Sequence, residues 1–127
     1  MLLGEDENLH PKIQNILTDY NSQLFTSIVA VNELLQLIRI GKIKSKKFKN
    51  NLEFINTLEL DLRITINPFT KQHLETLANL TIAENHNDPF DHAIISQAIS
   101  DKLTLISSDT KFKHYTSQKL KFVFNRR

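Results

Sequence analysis

Apolar residues recur at intervals of three and four along much of the chain, and this spacing is typical of amphipathic helices. Proline near a first helical position, capping threonine or aspartate, and Gly41 after an apolar stretch mark the ends of these patterns. The predicted helices cover residues 13–20, 28–40, 48–55, 70–80 and 89–101, with a helical turn at 110–115.

Short runs rich in strand-forming residues separate the predicted helices. These runs cover residues 24–27, 62–66, 103–107 and 120–124. Because strands that alternate with helices are joined by right-handed crossovers, they favour a mostly parallel sheet covered by helices on both faces. The pattern therefore predicts an α/β fold.

Two carboxylates fall on the apolar faces of predicted helices. Glu33 lies one helical turn from Val29 and Leu37. Asp91 shares the i, i+3, i+4 row with Ile94 and Ile95. A carboxylate on the apolar face of a helix is expected to be at least partly buried, which is unusual for an acid. Both residues are therefore candidates for a functional site.

A third acid, Asp109, directly follows the strand predicted at 103–107, where open α/β sheets place ligands. Two carboxylates about 4 Å apart interact by about 4 kcal/mol at an effective dielectric constant of 20. Either one takes up a proton, or a cation lies between them. Oxygen ligands of this kind match Mg²⁺ or Mn²⁺, which can activate water for attack on a phosphodiester.

Each acid also has an ordinary structural explanation. Asp88 is expected to cap the helix that begins at Pro89, and an acid at Asp91 is favourable near the positive end of that helix. Glu33 could pair with a lysine or arginine, and Asp109 could cap the turn that follows it. Only the convergence of these acids would favour a metal site.

Composition limits the remaining possibilities. The 127 residues have room for one domain, and no apolar run approaches the roughly 18 residues that a membrane span requires. The chain has no cysteine and two glycines, which excludes thiolate chemistry and phosphate-binding glycine loops. With no signal peptide pattern at the N-terminus, a soluble cytoplasmic protein is expected. His86, His92 and His114 lack metal-ligand spacing and are expected at the surface or in loops.

Lysines are concentrated between residues 42 and 49, although the net charge of the chain is only +2. Such a segment could bind a nucleic-acid backbone, and it could equally be a solvated loop and helix face. The candidate phosphate-binding residues are Lys42, Lys44, Lys46 and Lys47.

Two segments resemble the C-terminal half of PIN-domain proteins of the VapC toxin type. They are residues 88–98, with the sequence DPFDHAIISQA, and residues 103–112, with the sequence LTLISSDTKF. Upstream, Ser27 before a helix that contains Glu33 and ends at Gly41 resembles the family's second strand and acidic helix. The resemblance extends from about residue 8 to residue 124.

The resemblance implies a three-layer PIN-like fold and a Mg²⁺-dependent endoribonuclease. Such a protein would be the toxin of a toxin–antitoxin pair, with RNA as its substrate, an antitoxin as its inhibitor, and commonly a homodimeric state. Glu33, Asp91 and Asp109 match three of the four acids at the family's metal site, and are therefore the expected catalytic and metal-binding residues.

The family's first strand, which ends in the fourth acid, has no counterpart in this sequence. The chain is therefore read as one PIN-like domain over residues 1–127, truncated at its N-terminus. Removing a strand from the middle of a sheet exposes the backbone edges of its two neighbours. Three explanations are possible: the sequence begins at an internal start site, a partner or an exchanged segment supplies the strand, or the gene is a degraded copy.

Two other functions stay open at this point. A PIN-like protein that lacks one metal ligand could bind RNA or an antitoxin without catalysis. An unrelated α/β regulatory module could use Asp91 and Asp109 as a phosphorylation or cation site.

Overall fold

The structure is a computed structural model and describes residues 23–41 and 51–125. The helix predicted at 13–20 and the candidate phosphate-binding lysines Lys42, Lys44, Lys46 and Lys47 lie outside the described residues. Within the described ranges, no helix is long and apolar enough to cross a membrane.

Helices and short strands alternate along the described chain. The strands are β1 (Phe25–Ser27), β2 (Thr65–Asn67), β3 (Thr104–Ser107) and β4 (Lys121–Phe124). The α-helices are α1 (Ile28–Arg39), α2 (Asn51–Asn56), α3 (Lys71–Asn79) and α4 (Pro89–Asp101). A π-helical turn, Thr57–Asp61, follows α2, and a 3₁₀ segment, Thr110–Gln118, lies between β3 and β4.

Local capping explains where α1 and α4 begin and end. The Ser27 hydroxyl accepts a hydrogen bond from Val29 N–H at 3.0 Å, and the Asp88 carboxylate accepts one from Phe90 N–H at 2.9 Å. Beyond the end of α1, Gly41 has a φ of 78°, which glycine adopts at little steric cost. These helix limits confirm the ones predicted from the sequence to within one residue.

The second strand begins later than its sequence pattern predicts. After the π-helical turn, Leu62 N–H donates to the Thr57 carbonyl, and Ile64 N–H donates to the Leu58 carbonyl. Arg63 has a φ of 54°, so the chain turns sharply before it extends. Helical hydrogen bonding therefore holds the first part of the predicted strand, and only Thr65–Asn67 pairs with a neighbour.

The strands pair in parallel, as predicted, but the described strands form two sheets. In one sheet, β1 pairs with β2, with Phe25 opposite Thr65. In the other, β3 pairs with β4, with Leu105 opposite Phe122. The predicted central sheet is divided because no described strand lies between β1 and β3.

Each sheet has its own small core. The core beside β3 and β4 contains six buried residues, namely Ile95, Ala98, Leu105, Phe112, Tyr115 and Leu120. The core beside β1 and β2 contains Val31, Phe54, Leu58 and Ile64. In the predicted apolar stripe of α4, Ile95 is buried and Ile94 is partly buried, whereas Ile40, on the predicted apolar face of the first long helix, is 64% exposed. Because the second core lies against Val31, that side of α1 is the buried one.

His73 joins α3 to the end of α4. Thr70 N–H donates to His73 Nδ1 at 2.9 Å, which places the ring proton on Nε2. That Nε2–H then donates to Asp101 at 2.8 Å. The ring is buried, so these bonds satisfy polar atoms that water does not reach.

Replacing His73 with alanine is expected to lower the free energy of unfolding by about 1–3 kcal/mol, because the Thr70 N–H and the Asp101 carboxylate lose their partner. Urea denaturation measures this change. The matched control is His114→Ala, at an exposed histidine, which should change the free energy by less than about 0.5 kcal/mol. Equal effects of the two substitutions would contradict the role given to His73.

Candidate active site

Glu33 and Asp91 lie on two helices that pack against each other, α1 and α4. Both side chains are partly buried. Burial raises the pKa of Glu33 above its ordinary value of 4.5, and the negative charges of Asp88 and Asp91 raise it further. The structure therefore brings two of the three predicted site acids within electrostatic reach of each other.

Asp88 is part of this acidic group, although the sequence suggested only a capping role. Its carboxylate caps α4, as predicted, and its charge also raises the pKa of Glu33. Spacing within α4 does not reveal this second effect, because it depends on how α1 is placed beside the start of α4.

His86 holds Asp91 through a chain of hydrogen bonds that begins in the core. The Tyr115 hydroxyl accepts from Ala83 N–H at 3.0 Å and donates to His86 Nδ1 at 2.7 Å. His86 Nε2–H then donates to Asp91 Oδ2 at 3.0 Å. With a proton on Nε2 and an acceptor at Nδ1, the His86 ring satisfies every atom of this chain of hydrogen bonds.

The prediction of a surface or loop position is wrong for His92, which lies in α4. His86 does lie in the loop before α4, but it is not at the surface, because only 1% of the residue is exposed. His86 is buried because Tyr115 and Asp91 bind both of its ring nitrogens. His92 is partly buried, and its Nε2–H donates to the His86 carbonyl at 2.7 Å. His114 is exposed, as predicted. A search for metal-ligand spacing could not find the role of His86, because its partner is Asp91, an acid five positions away, and not a second histidine.

Asp109 caps the 3₁₀ segment that follows β3. Its carboxylate accepts a hydrogen bond from Lys111 N–H at 2.9 Å, and its own N–H donates to the Ser107 hydroxyl at 3.1 Å. The ordinary capping role considered from the sequence is therefore present. No described contact joins Asp109 to Glu33 or to Asp91.

The three acids Glu33, Asp88 and Asp91 have the oxygen donors that a divalent cation prefers, but they are not arranged as a three-ligand site. Glu33, Asp88 and Asp91 supply oxygen donors, and a cation between them would relieve the repulsion that raises the pKa of Glu33. In the part of the chain that the structure describes, however, no group of three or more His, Asp or Glu residues has the spacing to hold a metal ion.

The raised pKa of Glu33 predicts a pH-dependent loss of stability. Because folding disfavours the charged form, Glu33 lowers stability once the pH exceeds its ordinary pKa of 4.5, and the loss is complete above its raised pKa. Glu33→Gln is therefore expected to raise the melting temperature near pH 7, with the gain disappearing below about pH 4. Thermal denaturation across this range tests it, with Glu75→Gln on an exposed position of α3 as control. A gain of equal size at both ends of the range would refute the account.

A second prediction concerns the buried imidazole. His86→Phe keeps a ring in the core but removes both side-chain hydrogen bonds, so the Tyr115 hydroxyl and the Asp91 carboxylate lose a partner. The free energy of unfolding is expected to fall by about 1–3 kcal/mol. Chemical denaturation measures the loss, and Asn87→Ala, at the exposed next residue, is the control. An unchanged His86→Phe protein would show that the hydrogen bonds contribute no net stability.

Comparisons with known proteins agree with this fold. The PIN domain family profile matches residues 1–117. The structure is similar to a chain in the crystal structure of VapBC2 from Rickettsia felis bound to a DNA fragment from their promoter, with a TM-score of 0.62 and 20% sequence identity. The alignment covers 90% of this chain and 82% of that chain. No curated protein matches significantly. The family match spans most of the sequence, confirms the resemblance described above, and shows that the chain belongs to the PIN domain family.

Proposed function

We propose that this chain is a metal-dependent endoribonuclease and the toxin component of a toxin–antitoxin pair. Membership in the PIN domain family supports the proposal, as does the fold shared with a chain of the VapBC2 structure. The observation that carries it is the raised pKa of Glu33 on α1, which results from burial and from the negative charges of Asp88 and Asp91 at the start of α4. Glu33 and Asp91 were both selected from sequence spacing, and a cation bound between them would stabilise both negative charges.

Glu33 and Asp91 are the residues proposed to hold Mg²⁺ or Mn²⁺. A divalent ion bound there would supply an activated water for attack on phosphorus and would stabilise the leaving oxygen. Asp109 is proposed as a third ligand. Because it caps the 3₁₀ segment and belongs to no three-residue group with metal-binding spacing among the described residues, its contribution needs a separate test with Asp109→Asn.

His86 and the start of α4 prepare Asp91 for this role. The His86 hydrogen bond fixes Asp91 Oδ2, while Oδ1 has no hydrogen-bond partner among the described residues. A carboxylate held by one oxygen keeps its other oxygen available at a defined position. Asp91 also lies in the first turn of α4, where the helix dipole interacts favourably with an acidic side chain.

The RNA and protein partners belong to the same proposal. Lys42, Lys44, Lys46 and Lys47 are proposed to bind RNA phosphates, which makes binding sensitive to salt. An antitoxin is proposed as the inhibitory partner and a homodimer as the assembly. The similarity to a chain of the VapBC2 structure, which is bound to promoter DNA, supports the proposal of an antitoxin partner.

A second candidate function is a catalytically impaired PIN-like protein that binds nucleic acid or an antitoxin. The observation that favours it is the lack of a three-ligand metal group among the residues that the structure describes. This candidate predicts RNA binding that weakens with salt and is indifferent to EDTA.

Asp91→Asn is expected to reduce RNA cleavage to background, because it removes a charge proposed to hold the metal while keeping the shape of the side chain. The measurement is cleavage of a mixed structured RNA pool by the purified chain with Mg²⁺ or Mn²⁺, and EDTA should abolish it. Circular dichroism checks that the variant is folded.

Asp61→Asn, at an exposed acid in the π-helical turn, is the matched control and should cleave like the parent chain. Cleavage that survives both EDTA and Asp91→Asn would refute the nuclease proposal. Folded parent protein that binds RNA in EDTA but cleaves none would favour the second candidate.

A further inference from the structure

A cavity of about 550 Å³ separates the two sheets. It is lined on one side by β1 and on the other by residues 104–106 of β3, while Ile94, Gln97 and Ala98 of α4 also line it. We call this cavity the inter-sheet cleft. Its position is notable because its two sides are strands that each pair with only one neighbour among the described residues.

The two strands direct backbone groups into the cleft that pair with no other described strand. On β1, the Leu24 carbonyl accepts from Thr65 N–H of β2, so the backbone of the next residue, Phe25, faces away from β2. On β3, the Ser107 carbonyl accepts from Asn125 N–H on the β4 side, so the backbone of Ile106 faces away from β4. Both edges offer donors and acceptors in the pattern that a further strand would satisfy.

Gln97 provides an independent sign of a missing partner. Its side chain is 3% exposed and lines the cleft. The Nε2 atom donates to the carbonyls of Asn67 and Pro68, whereas Oε1 is buried without a hydrogen-bond partner among the described residues. A buried acceptor of this kind costs free energy until a donor such as a peptide N–H reaches it.

The size and lining of the cleft indicate what fits. One residue of a strand occupies roughly 160 Å³, from a rise of about 3.3 Å, a strand spacing of about 4.8 Å and a layer spacing of about 10 Å. The cavity volume therefore corresponds to roughly three or four strand residues, similar to the lengths of β1 and β3. Among the described residues that line the cleft, Lys102 is the only charged one, so the occupant must be mostly uncharged and apolar.

We propose that the inter-sheet cleft binds one extended strand of a partner polypeptide, with three or four uncharged apolar residues between β1 and β3. The strand would hydrogen-bond to both edges and join the two sheets into one. In this chain, Gly4 and three acids directly follow the apolar residues Met1–Leu3, and these residue types are not favoured in an apolar strand. The proposal does not depend on metal binding or RNA cleavage.

A synthetic peptide with the central sequence Val-Ile-Val-Ile and serine and glutamate flanks tests the proposal against the full 127-residue chain. Saturable binding by fluorescence anisotropy is expected, and peptide at ten times its Kd should raise the melting temperature by about 5 °C. A control peptide with two central prolines cannot donate those backbone hydrogen bonds and should bind at least tenfold more weakly. No binding, or equal binding of both peptides, would overturn the proposal.

Variants of β3 locate the binding site. Ile106→Pro removes an N–H that faces the cleft and leaves the bonds to β4 intact, so peptide affinity should fall at least tenfold. Ile106→Val keeps the N–H and should bind like the parent chain. Thr104→Pro repeats the test at an exposed first strand position in case the variant at 106 unfolds. Unchanged peptide affinity in a folded proline variant would overturn the proposal. A second outcome that would overturn it is a dimer, seen by sedimentation, that the peptide does not dissociate but Ile106→Pro does. The cleft would then be filled by a second copy of this chain.

Discussion

Burial of one face of α4 is the interaction on which the rest of the structure depends. Ile95 is fully buried against β3 and the 3₁₀ segment, and burying such a side chain contributes about 1.5–3 kcal/mol. The same helix packs against α3 and α1. Because α4 packs against both the β3–β4 sheet and α1, this packing sets the positions of Asp88 and Asp91 at the start of α4.

A consequence of that packing is electrostatic coupling between the two halves of the molecule. The core residue Tyr115 orients His86, His86 holds Asp91, and the charge of Asp91 raises the pKa of Glu33 on α1. This series runs from an apolar core to a partly exposed acidic group. Asp91 is thus held through a side chain of the apolar core, and such support is one way in which a protein positions a carboxylate.

The two sheets are held together by helices and not by a shared strand among the described residues. Parallel strands are normally buried on both faces and paired on both edges. Here the inner edges of β1 and β3 face a mostly uncharged cleft, and Gln97 leaves an acceptor without a partner there. The sheet that was predicted as one unit is divided because no described strand lies between β1 and β3, and the unmatched backbone edges are the result.

The sequence by itself determined the limits of α1 and α4, the parallel α/β class, and the placement of Asp91 on the apolar stripe of α4. It could do so because capping residues and helical periodicity act between neighbours along the chain. Only the tertiary structure decided that α1 faces the start of α4, that His86 is buried between Tyr115 and Asp91, and that Asp109 caps a turn without contacting the other acids. Periodicity tells which face of an element is apolar, but the partner of that face is set by packing between residues far apart in the chain.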